Sequence, residues 1–523
     1  MLRLAVVLAL VATTAGARPR ATPCDVGRFL TPDAKHVVAD VAAPATETIV
    51  VEAATVAIEP GCPAVPYKPR QTRKGNVVRA VFRSCAGHAL VKLSAIIKAR
   101  DCDALRGTVR VKGARPARRK LRATRAPFQY DVPLDSRAPW PKFRRTSRQD
   151  GRSTVVPSLA GGNRWTFATG KGIFSTPVID GDGTVYVGSA DRTFYAIAKD
   201  GSLRWSRLTG EIIDSSALLD DRGRLYVGSG DGNLYALDRT TGETLWTFTA
   251  DDPGPSAFIK WFEGNVAIGR DGTLYVPNDN FFTYALARDD AAMRWRFATK
   301  DQTWSLPAVD TATGRLYIGN NNLLQLLGDN TFALDGASGA TVWSHGTDGT
   351  IAASPLLTRD GRVVVGGFDG FVRAYDAATG AEAWPAPFGA RDHIYASPGE
   401  LPDGTIVQPS ADGSVYGPDP ATGAVRWQFD TRDSIRSSPA VDGAGNVYVG
   451  AGDGRLYVLN PDGTLRWSIQ LIDAARDDLN ASPALGTDAI VVAGETGQIF
   501  SLPYDYCLRD EAASDARCRC GRA

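Results

Sequence analysis

Eight tryptophans, Trp165, Trp205, Trp246, Trp295, Trp343, Trp384, Trp427 and Trp467, recur at intervals of 40, 41, 49, 48, 41, 43 and 40 residues. Each closes a similar phrase, clearest in SSPAVDGAGNVYVGAGDGRLYVLNPDGTLRW (437–467). The phrase reads as four short strands separated by turns, and a four-strand unit repeating near 40 residues is the signature of a propeller blade. Starts such as Ser175–Pro177, Ser305–Pro307, Ser354–Pro355, Ser397–Pro398, Ser438–Pro439 and Ser482–Pro483 suit the innermost strand, A, because proline lacks a ladder donor. Asp/Gly turns, as at Asp180–Gly183, then lead to alternating apolar strands B and C, and the tryptophan lies on strand D. One large ring per blade is expected to wedge between neighbouring sheets.

Seven units end in a tryptophan, while the eighth, Ser482 to about Leu502, has strands A to C only. Trp165 stands in NRWTF (163–167), ahead of the first strand A. The N-terminal strand therefore completes the last blade, removing an open sheet edge that would invite aggregation. The fold expected is all-β: an eight-bladed propeller of four-stranded blades over 163–505, closed by a strand from its own N-terminus.

Residues 1–17 carry an early arginine, an apolar run from Leu4 to Ala12 and Ala15-Gly-Ala17, which reads as a signal peptide. No later stretch is apolar enough to span a bilayer, and the residues before Cys24 do not form a lipoprotein processing site. The expected location is periplasmic or extracellular. A net charge of +2 argues against a nucleic-acid partner for the chain as a whole.

Cysteines lie only outside the propeller: Cys24, Cys62, Cys85 and Cys102 before it, Cys507, Cys518 and Cys520 after it. Export favours disulfides over metal, since nearby histidines are limited to His36 and His88 and the spacings match no zinc site. The first four can pair three ways, with Cys85/Cys102 and Cys24/Cys62 only the most local scheme. The tail, 506–523, leaves one thiol free or bridged to another chain. Residues 18–125 read as a small disulfide-stapled β-rich domain, with 126–162 as linker and propeller lead-in. The basic run 106–125 reads either as a solvated linker or edge strand or as a contact for an anionic envelope polymer.

The phrase PWPKFRRTSRQDGRS (139–153) resembles the lead-in of quinoprotein-type propellers, and with the repeats the resemblance spans about 137–505. That family holds pyrroloquinoline-quinone (PQQ) dehydrogenases and non-catalytic relatives, including the propeller lipoprotein of the outer-membrane barrel-assembly machinery. The resemblance implies, for an enzyme, adjacent cysteines, a stacking tryptophan, calcium ligands and a catalytic aspartate. No cysteine lies between Cys102 and Cys507. Calcium oxygens could be gathered from Glu211, Asp214, Asn265 and Asp301, but nothing in the sequence brings them together. The Asp180–Gly183 turn lacks the later glutamate of an EF-hand, and His345 and His393, the propeller's two histidines, have no catalytic company. No catalytic, cofactor or metal residue is assigned, and a non-catalytic binding or scaffolding module is expected, with an atypical PQQ/calcium dehydrogenase or a polysaccharide-binding protein as alternatives.

Two connections are long and apolar: 251–264, with Phe258, Ile259, Trp261 and Phe262, and 320–330, with Leu323, Leu324, Leu326 and Leu327. Phe281 and Phe282 lie at the B–C turn between them. Loops D–A and B–C share one rim of a propeller, so these residues form either a docking patch for a protein or peptide or a plug buried against itself. Residues just before strand A, Phe174, Asp214, Trp304, Tyr395, Arg436 and Asn480, are expected around the channel mouth. Arg391, His393, Arg432 and Arg436 give blades six and seven a basic tinge, opposed by Asp477 and Asp478.

Overall fold

The computed structural model describes residues 127–521, except 159–161, 163, 253–258, 323–327, 432, 474–477 and 513. Before them it describes the backbone of eight strands: Gly27–Leu30, Val37–Val41, Ile49–Val50, Arg70–Thr72, Gly75–Cys85, His88–Lys98, Ala104–Lys112 and Ala117–Arg125. The signal-peptide residues 1–17 and Cys24, Cys62 and Cys102 lie outside the described residues. The chain divides into two units, 1–129 and 130–523.

The first unit is one eight-stranded sheet. Its last four strands form an antiparallel meander, and Ala117–Arg125 also pairs with the first strand through Phe29↔Arg125 and Leu30↔Thr124. The described part of the basic run is strand rather than linker: Ala104–Lys112 pairs on both sides, whereas Ala117–Arg125 pairs with Ala104–Lys112 along most of its length and with the first strand only at Thr124 and Arg125.

The second unit is the eight-bladed propeller. Each blade is an antiparallel four-stranded sheet in the order A–B–C–D; blade one is Val178–Ile179, Val185–Gly188, Thr193–Ile197 and Leu203–Leu208. The eighth takes Ala484–Leu485, Ala489–Ala493 and Gln498–Pro503 from the end of the repeats and Trp165–Ala168 from their start, with Ile499 opposite Phe167. The closure expected from the stray Trp165 is thus the closure found.

The tryptophans act between blades in a specific way. Seven indole Nε1 groups donate onward to the next blade, for example Trp165 to Lys199 O at 2.9 Å and Trp384 to Pro420 O at 2.9 Å. The ring also lies flat on that blade's C–D turn, where a Cβ on Gly242 would come within 2.6 Å of Trp205 and one on Gly463 within 2.4 Å of Trp427. Only glycine, at positive φ, admits the ring there. Blade three breaks the rule with Ala291 at φ 61°.

A second ring of contacts runs round the axis. The amide of each residue before the strand-A proline donates to the matching hydroxyl of the next blade: Leu306 to Ser354, Ser354 to Ser397, Ser397 to Ser438 and Ser438 to Ser482, each at 2.9 Å. Ser482 then donates to Thr176 of blade one at 3.2 Å, so the circle passes through the seam. These serines recur because the fold repeats, and each satisfies a buried amide that would otherwise cost about 1–3 kcal/mol.

The lead-in closes one end of the channel. Strand-A amides of six blades donate to it: Ile179 to Trp140 O, Leu219 to Pro141 O, Val309 to Ser147 O, Leu357 to Arg148 O, Glu400 to Asp150 O and Val441 to Gly151 O, at 2.7–3.2 Å. Arg144, almost wholly buried, donates to the carbonyls of Pro398 and Pro439 on two blades, and Gln149 to that of Pro307 on a third. Segment 140–152 is therefore a floor, and the channel opens at the rim of the D–A and B–C connections.

The tail ends as a fifth strand of blade seven, Cys518–Cys520, pairing with Leu465–Gln470 and covering Trp467. Cys507 and Cys518 form a disulfide, and Cys520 is an exposed free thiol.

Candidate functional site

The channel mouth is built from two positions per blade. The first is the residue two before the axial-ring position (Thr176, Ser216, Asn265, Leu306, Ser354, Ser397, Ser438 and Ser482): Phe174, Asp214, Glu263, Trp304, Ala352, Tyr395, Arg436 and Asn480. The second is the B–C turn residue, whose amide donates to the preceding D–A loop in every blade: Ala190 to Gly172 O, Gly230 to Ile212 O, Asp279 to Trp261 O, Asn321 to Gln302 O, Phe368 to Thr350 O, Ala411 to His393 O, Gly452 to Ser434 O and Glu495 to Asp478 O. These eight bonds, 2.8–3.1 Å long, hold the two tiers in register.

The residue just before each first-tier position is an inter-blade wedge. Ile213, Ile351 and Ile394 sit against glycines of the preceding blade, where a Cβ would come within 2.1–2.4 Å. Phe262 is blade three's version: it is 1% exposed and meets Gly228 in the same way. Phe262 is therefore core and does not belong to a rim patch. Trp261 beside it and Phe281 across the turn are half-buried, joined through the Asp279–Trp261 bond, and Phe282 is half-buried under the Arg296 guanidinium. Phe258, Leu323, Leu324, Leu326 and Leu327 lie outside the described residues, as do Arg432 and Asp477.

The mouth is chemically lopsided. Across blades five to seven it is aromatic and basic: Phe368 packs on Tyr395 at 4.3 Å, and the Arg436 guanidinium lies 5.1 Å from the Tyr395 ring. His393 is exposed and pairs with Asp392, and His345 ends strand D of blade four, stacked on Tyr375 at 4.3 Å.

Across blades two to four the mouth is acidic. Burial raises the Asp214 carboxyl to about 6. Burial, then repulsion from Asp214, raises Glu263 to about 7. Asp279 is fully buried, and burial, then repulsion from Glu263 and Asp301, pushes it up to about 9 against the Thr303 amide, which favours its charge. No carboxylate oxygen of Asp279 has a partner of ordinary hydrogen-bond geometry, and neither has Asp301 Oδ2, Asp214 Oδ1, Asn320 Oδ1 or either side-chain polar atom of Asn321.

Of the four calcium candidates, Asp214 and Asp301 belong to this arc. Asn265 belongs instead to the axial ring, its Oδ1 accepting the Ser216 amide, and the Glu211 carboxylate accepts the amide of Ile212 at 3.2 Å. Among the described residues no three His, Cys, Asp or Glu side chains converge as a metal site. The Asp180 turn is a closed hairpin: its carboxylate accepts the amides of Asp182 and Thr184 and the Tyr186 hydroxyl. The acidic arc itself would repel an anionic quinone, because its unmatched atoms are mostly acceptors.

Glu263 escaped the sequence reading because the lengthened loop displaces it and blade three lacks the Ser-x-Pro landmark, having Asn265-Val-Ala. Aligning strand B of blades two and three would have found it, and would have placed Asp279 where blades one and two have Ala190 and Gly230.

Comparison with solved structures gives the same architecture at low identity. BamB from Moraxella catarrhalis is 17% identical, with 66% of this chain and 100% of that chain covered at a TM-score of 0.52. Quinohemoprotein alcohol dehydrogenase from Comamonas testosteroni is 14% identical, covering 71% and 81% at 0.57. A europium-containing methanol dehydrogenase is 16% identical, covering 69% and 91% at 0.56. No match is found among curated proteins. The family described as outer membrane protein assembly factor BamB matches residues 149–280, 283–387 and 368–504, more than half of the chain, and the chain belongs to that family.

Proposed function

We propose that this chain is an exported, non-catalytic propeller that docks protein partners in the cell envelope, through the rim of blade three. The observation that carries the reading is Phe281. It holds φ 72° at a turn position that is glycine in blades two, five, six, seven and eight, as Gly232, Gly370, Gly413, Gly454 and Gly497. A left-handed aromatic residue costs the fold about 1 kcal/mol or more. Phe281 and Trp261 are both half-buried, and the turn that carries Phe281 is tied to Trp261 through the Asp279 amide, so the strain is spent at the rim rather than in the core. Membership of the BamB family, whose description is of an outer-membrane assembly factor, supports an envelope location and a protein partner. Among the described residues no helix is long and apolar enough to cross a membrane.

The test is site-specific photo-cross-linking in cells, with the cross-linker at Trp261 or Phe281 of the full chain and at exposed Leu508 as the control. A discrete adduct from the rim positions alone, identified as an envelope protein, is the expected result. Equal adducts from Leu508, or none from the rim, would defeat the reading.

A second reading, binding of an anionic envelope polymer through 106–125, is favoured by one observation. Residues 70–125 carry 17 Lys and Arg against two Asp, far from the chain's overall balance of +2. Clustered cations of this density attract polyanions. Retention of the full chain on an acidic polysaccharide, lost when arginines of 115–125 become glutamine, is expected on this reading.

A further inference from the structure

We propose that the acidic arc of the channel mouth binds an organic cation, a primary ammonium or guanidinium group, belonging either to a small free amine or to a Lys or Arg side chain of a polypeptide. The inference stands apart from the docking function of the rim.

Hydrogen-bond accounting points to such a ligand. Asp214, Asp279, Asp301, Asn320 and Asn321 all present side-chain oxygens without a partner, and four of these residues are 2% exposed or less. Unmatched donors at the same place are few, the Asn321 amide nitrogen and the Trp304 indole. Buried polar groups are ordinarily satisfied, so an excess of acceptors calls for a species that only donates. Ammonium and guanidinium groups donate three and five N–H bonds and accept none.

Charge agrees with this count. Among the described residues no Lys, Arg or His forms an ion pair with Asp214, Glu263, Asp279 or Asp301. The flanking segments PGPSAF (253–258) and LLQLL (323–327) contain no basic residue in sequence. The arc thus has no internal cation, and burial and mutual repulsion keep its carboxyls partly protonated near neutral pH. A bound cation reverses that balance, strengthening charge-assisted hydrogen bonds in a poorly solvated place.

Geometry separates an organic cation from a metal. The carboxylates are spread over two tiers of three blades and do not converge three at a time. A metal ion needs several oxygens at 2.3–2.6 Å from one point. A guanidinium reaches outward along separate N–H directions, which suits acceptors that do not converge on one point. Trp304, the first-tier residue of blade four, lies in the same D–A connection as Asp301 and adds an aromatic ring of the kind that attracts cations.

The experiment is calorimetric titration of the full chain at pH 7.5 with agmatine, with an acetylated arginine-containing pentapeptide amide and with calcium chloride, repeated in buffers of different ionisation enthalpy. Saturable binding of agmatine or the peptide is expected, with proton release and at least a tenfold loss of affinity in Asp279→Asn. Tighter binding of agmatine assigns the site to a small amine, and tighter binding of the peptide assigns it to a polypeptide. Glu263→Gln serves as a second variant if Asp279→Asn fails to fold. No saturable heat with either organic probe, saturation by calcium alone, or affinity unchanged in both variants would overturn the proposal.

Discussion

Replacing Asp279 by asparagine should stabilise the propeller, against the usual trend for a fully buried residue. The carboxyl is pushed up to about 9 in the folded chain, first by burial and then by Glu263 and Asp301. The folded state therefore holds a proton that the unfolded state releases. Stability from this group is complete below about pH 4, falls as pH rises through neutrality and levels off above about 9. Neutral pH lies about three pH steps above the ordinary aspartate value and still below the folded one, and each step is worth about 1.4 kcal/mol. The ceiling is thus about 4 kcal/mol, and sharing of protons with Glu263 brings the expected gain to about 2–4 kcal/mol. For a propeller of this size that is a rise of about 2–8 °C in Tm. Scanning calorimetry from pH 5 to 9 should show wild-type Tm falling with pH and a flatter profile for Asp279→Asn. A lower Tm at pH 7, or a profile parallel to wild type, would refute the electrostatic account of the arc.

Other variants test other parts of the structure. Arg144→Ala removes donors to Pro398 O and Pro439 O and leaves a hole in the floor, so chemical denaturation should report a loss of about 3 kcal/mol. Ser397→Ala breaks the axial ring at a buried amide, and a loss of about 1–2 kcal/mol is expected by the same measurement. Ala291→Gly relieves φ 61° where six other blades have glycine, and should gain up to about 1 kcal/mol. Phe281→Gly should leave Tm unchanged or slightly higher while abolishing rim adducts; a drop of several degrees would make Phe281 structural. Under non-reducing conditions, iodoacetamide should label Cys520 while Cys507 and Cys518 remain linked in peptide mass spectra.

The blade count, the four-strand order and the seam at Trp165 were legible because they follow from periodicity, which a repeat displays many times over. The partners of the repeated residues were harder to read. Six of the eight tryptophans meet a glycine in the next blade, about 40 residues away, and only the closed ring reveals that pairing. Phe262 and Trp261 look alike in sequence, but the wedge position falls on one and the rim on the other, a single-residue difference in register. The lead-in was recognisable as a phrase, yet its role as a floor depends on strand amides from six blades. Charge dominates the composition of the basic run and hides its strands, which the pairing of Ala104–Lys112 with its neighbours on both sides and with Ala117–Arg125 brings out. The acidic arc combines Glu263 and Asp279, single departures from the repeat whose meaning appears when two tiers meet at one place.

The central claim is that this member of the BamB family binds rather than catalyses, and titration of the purified protein with PQQ, with and without calcium, followed by a dye-linked alcohol oxidation assay, tests it most directly. The account predicts neither saturable PQQ binding nor turnover. Tight binding accompanied by alcohol oxidation would contradict it and make the channel mouth an active site.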